Sequence, residues 1–397
     1  MALLLQQAAI KTMEGQDYAE GDILIDHGKI KQIAPNIALT PDMNCEIWNL
    51  KGYTVYPGFI DPHSHIGISE DRKGAEYDDC NELTDPNTPY LRAIDAINPM
   101  DSSFTNAVMV GITSVMVGPG SSNVVGGQFA FMKTAGSRRI DDLVIKQPAA
   151  MKIAFGENPI NQYGKQNNIS PGTRMAVASI LREELLHAKN YWEKKKKAQQ
   201  NHETFEEDYQ LECWIPVLEK KIPMKCHAHM AHDILTAIRI AKEFDVDLTL
   251  DHCTEGHLIA DEIRESGFPA IVGPDLAFRS KIEVANADFK TPGILHDAGV
   301  LVSITTDHPV TLIQNLPICA GLAAKHGLGQ EEALHALTIN AAKICRVDDR
   351  VGSLAPGKDA DLCIYDGNPM EVFSQCIGTI IDGKVVYRYK DGDPKMS

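Results

Sequence analysis

Histidine and aspartate side chains recur directly after short apolar stretches at four separate places in the sequence. The four groups are His63 and His65, His227 and His229, Asp251 and His252, and Asp307 and His308. Imidazole and carboxylate groups are the ligands that catalytic zinc and similar divalent ions take, with one coordination position left open. Such an ion lowers the pKa of a bound water from 15.7 toward about 7 and polarises a carbonyl group. The four groups therefore predict a metal-dependent hydrolytic site.

The pair His63 and His65 shows how a strand can prepare such a site. Residues two apart on a strand point to the same face, so two imidazoles at this spacing can hold one ion. A single pair of this kind is equally compatible with two core histidines. Four groups that each follow an apolar stretch are much harder to explain in that way, because the carboxyl ends of barrel strands share one mouth. We therefore interpret them as parts of one site.

The sequence offers two candidates for a further ligand. Lys152 lies inside the apolar stretch 149–155, and Glu157 follows it after Gly156. Strand alternation places the two side chains on opposite faces, so both cannot point into a barrel. Glu157 lies nearer the predicted mouth and is the preferred metal ligand. The alternative is Lys152 in a carbamylated form.

Asp307 is predicted to be a general base and acid as well as a ligand. A carboxylate that touches both metal and water can take the proton of the attacking water and pass it to the leaving nitrogen. Arg279 follows a presumed seventh strand, and Arg174 lies near a helix start. Either guanidinium could bind a substrate carboxylate, and an ordinary surface role is the alternative for both.

The middle of the chain has the pattern of elements that brings strand ends together. Apolar strands are predicted at residues 113–117, 149–155, 224–227, 247–250, 270–272 and 301–305. Helical patterns lie between them, for example at 173–189 and 233–244, and the glycine-rich residues 118–127 are predicted to be a loop. Alternating β and α elements imply a parallel sheet. We predict an α/β fold with a somewhat distorted TIM (β/α)8 barrel at residues 57–349.

Both ends of the chain have a different, all-β character. Residues 22–26 and 30–33 have the pattern of a hairpin, and residues 377–381 and 384–387 flank an Asp-Gly turn. We predict that residues 1–56 and 350–397 pair into one small β-sandwich domain.

Composition argues against several classes of function. The 397 residues carry a formal net charge of −16, whereas nucleic-acid binding needs a basic face. The nine cysteines are scattered and form no CxxC pair, which is typical of reduced thiols in a cytoplasmic enzyme. No stretch has the length and apolarity of a transmembrane helix. The predicted partner is a small-molecule substrate, without nucleic acid or membrane, and homo-oligomerisation is left open.

Over nearly its whole length the chain resembles the amidohydrolase superfamily, in the branch of imidazolonepropionase and of proteins described as Xaa-Pro dipeptidases. The motifs that carry the resemblance are residues 57–65, 227–229, 251–252, 306–307 and 352–362. The resemblance implies one or two divalent ions per chain, with Zn²⁺ as the expected metal. It implies metal ligands on the first, fifth, sixth and eighth barrel strands, which are His63, His65, His227, His252 and Asp307. It also implies that His252 acts as a ligand or as a stabiliser of the transition state, and that Glu157 matches a third-strand glutamate ligand.

Two departures from the family pattern bear on the reaction. No clear lysine ends a predicted fourth strand, where members with two metals usually carry the bridging group. His229 stands where cytosine deaminase and imidazolonepropionase relatives have an acid, and we assign it to substrate binding. The predicted function is hydrolysis of a carbon–nitrogen bond in an amide, a cyclic amide or a dipeptide-like substrate. An aminohydrolase of a heterocycle is one alternative, and a non-catalytic scaffold is another, against which the full set of candidate ligands argues.

Overall fold

The computed structural model of the chain describes residues 2–40, 42–71 and 78–389. Within these ranges the strands are β1 (Ala2–Ile10), β2 (Tyr18–Asp26), β3 (Lys29–Ala34), β4 (Cys45–Asn49), β5 (Thr54–Pro57), β6 (Phe59–Ser64), β7 (Ile112–Val117), β8 (Val125–Lys133), β9 (Val144–Ala154), β10 (Met224–Ala228), β11 (Leu248–His252), β12 (Ala270–Val272), β13 (Val302–Ile304), β14 (Leu362–Tyr365), β15 (Cys376–Ile381) and β16 (Lys384–Arg388). The α-helices are α1 (Ser102–Val108), α2 (Ile140–Leu143), α3 (Glu157–Pro159), α4 (Arg174–Asn201), α5 (Tyr209–Glu212), α6 (Ile215–Leu218), α7 (Ala231–Phe244), α8 (Ala260–Ser266), α9 (Thr291–Asp297), α10 (Leu316–Ala323), α11 (Gln330–Leu337) and α12 (Ile339–Cys345). Short 3₁₀ helices lie at Ala93–Asp95, Gly256–Leu258, Ile282–Val284 and Ile313–Asn315, and π-helical turns at Ile160–Gln166 and Ala324–Leu328.

One sheet is built from the two ends of the chain. Its strand order is β16-β15-β14-β5-β1-β2-β3, and β4 pairs in parallel with the first half of β1. The two ends join where β14 pairs antiparallel with β5, so that Leu362 lies opposite Pro57. The prediction that both termini form one small β domain is confirmed. Residues 1, 41 and 390–397 of that prediction lie outside the described residues.

The second sheet is the barrel, with the strand order β13-β12-β11-β10-β9-β8-β7-β6. Its pairs are parallel except that β8 runs antiparallel to both β7 and β9. The barrel closes where the loop after β13 meets β6: the Thr305 hydroxyl donates to the His63 carbonyl at 2.6 Å, and the His65 amide donates to the His308 carbonyl at 2.9 Å. The predicted distorted barrel is confirmed, and its boundaries at 57 and 349 stay a prediction.

Local sequence explains why these elements form. The strand β7, with the sequence ITSVMV, is buried at every position, as expected for a barrel strand covered on both faces. Helix α7 buries Ile234, Ala237, Ile238 and Ala241, which form one stripe at helical spacing, and it ends at Asp245 in the left-handed region. Among the described residues, no helix has the length and apolarity that crossing a bilayer requires.

Strand β8 begins within residues 118–127, which the sequence predicts to be a loop. Gly127 has φ +123°, and a Cβ there would lie 2.4 Å from the Leu91 carbonyl oxygen, so this glycine permits a close backbone approach within the strand. Because β8 is the third strand of the barrel, β9 is the fourth. The expectation that no clear lysine ends a fourth strand is therefore corrected, since Lys152 lies two residues before the end of β9.

A buried ion cluster joins the barrel to the terminal sheet. Lys133, the last residue of β8, places Nζ 2.9 Å from Asp359 Oδ2, 3.3 Å from Asp382 Oδ1 and in contact with Asp361 Oδ2. The side chains of Lys133, Asp359 and Asp361 are 4%, 1% and 3% exposed. The cluster ties the position of β8 to that of the loop that leads into β14.

Candidate active site

Four barrel strands bring the predicted ligands to one mouth of the barrel. The strand β6 carries His63 and leads to His65, β10 carries His227 and leads to His229, β11 ends at His252, and β13 leads to Asp307. The five imidazoles are buried, and the side chain of Asp307 is 14% exposed. Convergence at the carboxyl ends of the strands is the usual location of a barrel active site.

The candidate ligands form two groups, in each of which the ligand atoms lie within 4.8 Å of one another. The first ligand group is His63, His65 and Asp307, and the second ligand group is His227, His229 and His252. In the first, Asp307 Oδ1 lies 3.6 Å from His63 Nε2 and 3.2 Å from His65 Nε2. Two ligand atoms on one tetrahedral zinc lie about 3.3 Å apart, given metal bonds of about 2.0–2.1 Å. The separations in the first ligand group fit one shared ion.

Hydrogen bonds fix the orientation of three imidazoles. His63 Nδ1 donates to Asp251 Oδ2 at 2.5 Å, while Nδ1 of His65 and of His252 donates to backbone carbonyl oxygens at 2.7 and 2.8 Å. Because those oxygens can only accept, Nδ1 carries a proton in all three rings, and in His63 and His252, whose pKa values are lowered by burial, the lone pair is on Nε2. This is the arrangement in which the outer partner of a metal-binding histidine sets its tautomer.

Burial keeps most of these imidazoles neutral. It lowers the pKa of His63, His227 and His229 well below the ordinary value, and neighbouring basic side chains lower it further. His65 differs, because the acidic groups around it, Asp307 among them, outweigh burial and raise its pKa to about 10. Neutral imidazoles are ready ligands, whereas an ion at His65 would have to displace a proton.

Two further observations mark the site as a functional one. His252 Nε2 is buried and has no hydrogen-bond partner among the described residues. His252 and Asp307 also have left-handed backbones, with φ of +69° and +51°. A buried polar atom without a partner and strained non-glycine residues both cost free energy, and both are concentrated at functional sites.

Lys152, and not Glu157, lies at the ligand groups. Lys152 is fully buried, with Nζ 3.3 Å from His63 Nε2. The Glu157 carboxylate is partly exposed and accepts from Asn161 Nδ2 at 3.1 Å. The preference for Glu157 is therefore corrected: Glu157 lies in α3, beyond the end of β9, and it is Lys152 that reaches His63 in the barrel interior. Distance from the barrel mouth was a poor criterion for choosing the ligand, because the lysine side chain is long enough to reach the histidines from within the strand.

Two carboxylates near the histidines were not assigned roles from sequence. Asp251, in β11, is buried between His63 and Lys225, whose Nζ lies 2.9 Å from Asp251 Oδ2. Glu283 comes from the 3₁₀ turn after β12, and its side chain is 1% exposed. Burial opposes its ionisation, but His229 and neighbouring cationic groups lower the pKa of Glu283, so it is a carboxylate. Asp251 could have been recognised from its position beside His252; Glu283 lies in a loop without periodicity and gave no comparable signal.

A cavity of about 300 Å³ opens above the ligands. It is lined by members of both ligand groups, by the cationic Arg279 and Lys281, and by the apolar Phe278, Val284 and Val310. The guanidinium of Arg279 donates to a backbone carbonyl at 2.7 Å and is otherwise exposed. A small molecule with an anionic group and an apolar part fits such a lining.

Of the other two predicted substrate-binding residues, Arg174 lies away from the cavity and His229 lines it. Arg174 does not line the cavity; its Nε donates to both carboxylate oxygens of Asp233, at 3.0 and 3.1 Å. That buried aspartate needs a cation, which explains the position of Arg174 physically. His229 lines the cavity, so its assignment to substrate binding stays a prediction, and it also belongs to the second ligand group.

Comparisons with known proteins place this geometry in a family. The Amidohydrolase family model matches residues 54–386. The amidohydrolase tasK of Hapsidospora irregularis is 25% identical over 392 residues, which cover 91% of this chain but only 39% of that protein. The imidazolonepropionase of Cutibacterium acnes is 25% identical over 323 residues, 79% of this chain and 76% of that protein. The crystal structure of an amidohydrolase from Thermotoga maritima MSB8 is 41% identical and superimposes with a TM-score of 0.93, covering 98% of this chain and all of that one.

The family match covers the whole barrel sheet and both ligand groups, and the Thermotoga structure aligns along its full length. The prediction of family from the histidine and aspartate motifs is thereby confirmed. The chain belongs to the amidohydrolase family, and it is a hydrolase of carbon–nitrogen bonds.

Proposed function

We propose that the chain is a metal-dependent hydrolase that uses water to open an amide, a cyclic amide or a dipeptide-like substrate. The observation that carries the proposal is the convergence of two ligand groups at the base of one cavity. A scaffold protein has no need of buried imidazoles whose lone pairs are oriented by outer hydrogen bonds.

The residues present fit one or two divalent ions. His252 Nε2 is buried and has no hydrogen-bond partner in the described part of the chain, and the separations in the first ligand group match those on one tetrahedral ion. The nitrogen and oxygen donor set favours Zn²⁺ or a similar ion. When bound, such an ion would lower the pKa of a water molecule and polarise the substrate carbonyl.

Asp307 is the proposed proton carrier. Burial opposes its ionisation, but His252 and His65 outweigh that effect and lower the pKa of Asp307, so it is present as a carboxylate. In the first step this carboxylate takes a proton from the attacking water as the water oxygen bonds to the carbonyl carbon. In the second step Asp307 delivers the proton to the nitrogen as the carbon–nitrogen bond breaks. His252 is proposed to be a metal ligand through Nε2, since its Nδ1 donates to the Gly273 carbonyl. The alternative is that His252 stabilises the charge that develops on the carbonyl oxygen, which would need a proton on Nε2.

Lys152 is the proposed further ligand, in a carboxylated form. Burial lowers the pKa of Lys152 to about 8, although Asp251 and Asp307 oppose the shift, so a sizeable share of neutral amine exists near neutral pH. The neutral nitrogen can add to carbon dioxide: a nitrogen–carbon bond forms, one N–H proton leaves, and a negative carbamate remains. A carbamate there would supply oxygen donors beside His63.

The lining of the cavity supports a substrate with a carboxylate. Arg279 and Lys281 supply the cationic part of the lining, and Phe278, Val284 and Val310 supply the apolar part. Among the predicted substrate-binding residues, Arg279 is therefore kept for this role, together with His229.

A cytoplasmic location and a small-molecule substrate complete the proposal. The nine cysteines are free thiols, which is compatible with a reducing compartment. The formal net charge of −16 does not favour nucleic acid.

Metal content and hydrolysis test the proposal together. The metal of the purified protein would be counted by plasma mass spectrometry, before and after reconstitution with Zn²⁺. N-acyl amino acids, dipeptides and cyclic amides would then be screened with the wild-type protein, Asp307→Asn and the control Asp17→Asn, whose carboxylate pairs with Lys11 at the surface. We expect bound metal, and a loss of roughly 10²- to 10⁴-fold in kcat for Asp307→Asn alone.

Three results would contradict the proposal or redirect it. Wild-type protein that binds no metal after reconstitution would remove its basis. An Asp307→Asn variant with full activity would refute the role of this carboxylate. Ammonia release from a heterocyclic amine, without hydrolysis of any amide, would favour the aminohydrolase alternative.

A further inference from the structure

We propose that Glu283 is a metal ligand that shares one ion with His227 and His229, two members of the second ligand group. The inference rests on the proposed metal dependence. It assigns a ligand to the loop after the seventh barrel strand, in addition to those at the ends of β6, β10, β11 and β13.

The separations around Glu283 fit a shared ion better than they fit hydrogen bonds. Glu283 Oε1 lies 3.6 Å from His227 Nε2 and 3.7 Å from His229 Nε2. Both values exceed the 2.7–3.2 Å of a direct hydrogen bond to nitrogen. They are close to the separation of about 3.3 Å between two ligand atoms on one tetrahedral ion. The carboxylate oxygen therefore stands where a third ligand atom would stand.

The two imidazoles converge with Glu283 from different directions. The rings of His227 and His229 are nearly perpendicular, at 87°, and their centroids are 4.6 Å apart. The His252 ring lies 4.5 and 4.9 Å from them, and its Nε2 is buried without a hydrogen-bond partner among the described residues. Neutral imidazole nitrogens and a carboxylate oxygen that converge in a buried space are stabilised by a cation between them.

The surrounding structure holds the Glu283 carboxylate in place. Its Oε2 accepts the Glu157 amide at 2.8 Å, and its Oε1 accepts from Lys281 Nζ at 2.6 Å. Gly156 makes room for it: a Cβ at this residue would lie 2.6 Å from Glu283 Oε2. Since φ of Gly156 is +87°, glycine is favoured there for its backbone as well.

Pairing with Lys281 alone does not explain this position. Lys281 is 24% exposed and has a second partner, Asn158 Oδ1, at 2.9 Å. A carboxylate needed only for this lysine could lie at the cavity rim, in water. Glu283 is instead 1% exposed and faces two metal-ligand candidates. The two explanations predict opposite effects when Lys281 is removed.

Metal titration separates these explanations. The apoprotein would be titrated with Zn²⁺ against a chromophoric chelator, and bound zinc would be counted by plasma mass spectrometry. We expect two equivalents in the wild-type protein, and in Glu283→Gln a second equivalent that binds more than about 100-fold more weakly. The threshold is the upper end of the 10- to 100-fold loss seen when a residue only hydrogen-bonds a ligand. The visible spectrum of the Co²⁺-loaded protein should also change at the second equivalent.

Three variants provide the controls. Glu255→Gln removes another buried carboxylate near this mouth, one that accepts from the Ala231 amide and from Asn286, and it should bind both equivalents normally. Glu283→Asp keeps the charge beside Lys281 but shortens the reach, and it should also weaken the second equivalent. Lys281→Met removes a cation that competes for the same oxygen, so it should leave zinc affinity unchanged or raise it. Circular dichroism would establish that each variant is folded.

The outcomes distinguish this inference from the proposed function. If reconstituted wild-type protein binds no metal, the proposed function and this inference both fail. If the wild-type protein binds two equivalents and folded Glu283→Gln and Glu283→Asp lose less than 100-fold in affinity, only the ligand role of Glu283 is overturned. The same holds if the wild-type protein binds a single equivalent that these variants retain, or if Lys281→Met weakens the second equivalent as strongly as Glu283→Gln does.

Discussion

Replacing Lys133 with methionine should destabilise the protein more than the removal of a surface ion pair does. Lys133 Nζ contacts Asp361 and lies 2.9 Å from Asp359, and all three side chains are at least 96% buried. Asp359 also pairs with Lys29 and Arg350, but among the described residues Asp361 has no other cationic partner. The substitution therefore leaves one buried carboxylate without its counter-charge.

The unpaired charge should lower the free energy of unfolding by an amount that follows from known buried ion pairs. Removing one partner of a buried ion pair costs about 3–5 kcal/mol. For 397 residues that unfold together, the entropy of unfolding is about 0.8 kcal/mol per kelvin. The midpoint temperature of thermal unfolding should therefore fall by about 4–6 °C. The control Lys11→Met removes an exposed pair, with both side chains nearly half exposed, and should cost less than about 1 kcal/mol.

The pH dependence of the loss has a definite sign. Burial raises the pKa of Asp361 to about 6 even though Lys133 opposes the shift. A group whose pKa is raised on folding contributes stability below its unfolded value, and this contribution is lost as the pH rises through the folded value. Removing Lys133 raises that pKa further. The loss of unfolding free energy in Lys133→Met, relative to the wild-type protein, should therefore be largest above about pH 6 and smaller at pH 5.

Differential scanning calorimetry of four proteins would check this reasoning. The wild-type protein, Lys133→Met, Lys11→Met and the double variant Lys133→Met/Asp361→Asn would be compared at pH 7.5 and pH 5. The double variant should recover most of the loss, because asparagine removes the charge and keeps the oxygen that accepts the Asp382 amide at 2.9 Å. A midpoint for Lys133→Met equal to that of Lys11→Met, or a further loss in the double variant, would refute the argument.

Two other perturbations probe the site itself. Asp251→Asn weakens the acceptor of His63 Nδ1, so metal affinity should fall about 10- to 100-fold by chelator competition, and full wild-type affinity would show that the bond does not orient a ligand. Lys152→Met removes the amine that can be carboxylated, so kcat/KM should fall at least about tenfold and intact-protein mass spectra should lose any adduct of carbon dioxide. Unchanged activity with unchanged zinc content would exclude Lys152 from the machinery.

Much of the fold was predictable because it depends on local pattern. Short apolar stretches such as 270–272 and 224–227 appear as strands at or within one residue of the predicted bounds. Strand β8 was not recognised as a strand, because Gly126 and Gly127 follow its first residue and it runs antiparallel to both β7 and β9. Glycine at such positions permits close backbone approach, which a propensity argument interprets as a loop.

The candidate site was predictable where the end of a strand determines the position of a side chain. The histidines and Asp307 come together because barrel geometry brings separate strand ends to one mouth. The choice between Lys152 and Glu157 required the number of strands and the depth of each side chain, which periodicity alone does not supply. Glu283 was missed for a different reason: a 3₁₀ turn in a long loop brings it back to the histidines, and that path depends on tertiary packing.

Two buried lysines beside the histidines determine how the site can balance charge. Lys225 lies 2.9 Å from Asp251, so its ammonium has a counter-charge. Lys152 lies 3.3 Å from His63 Nε2, the same atom that an ion in the first ligand group would use. Two unit charges 4 Å apart repel by about 4 kcal/mol at an effective dielectric constant near 20, and a divalent ion beside an ammonium would be repelled more strongly. Burial lowers the pKa of Lys152 to about 8, so loss of its proton costs little near neutral pH. Ion binding and the chemical state of Lys152 are therefore coupled, since a neutral or carboxylated lysine accepts the ion that a charged one repels.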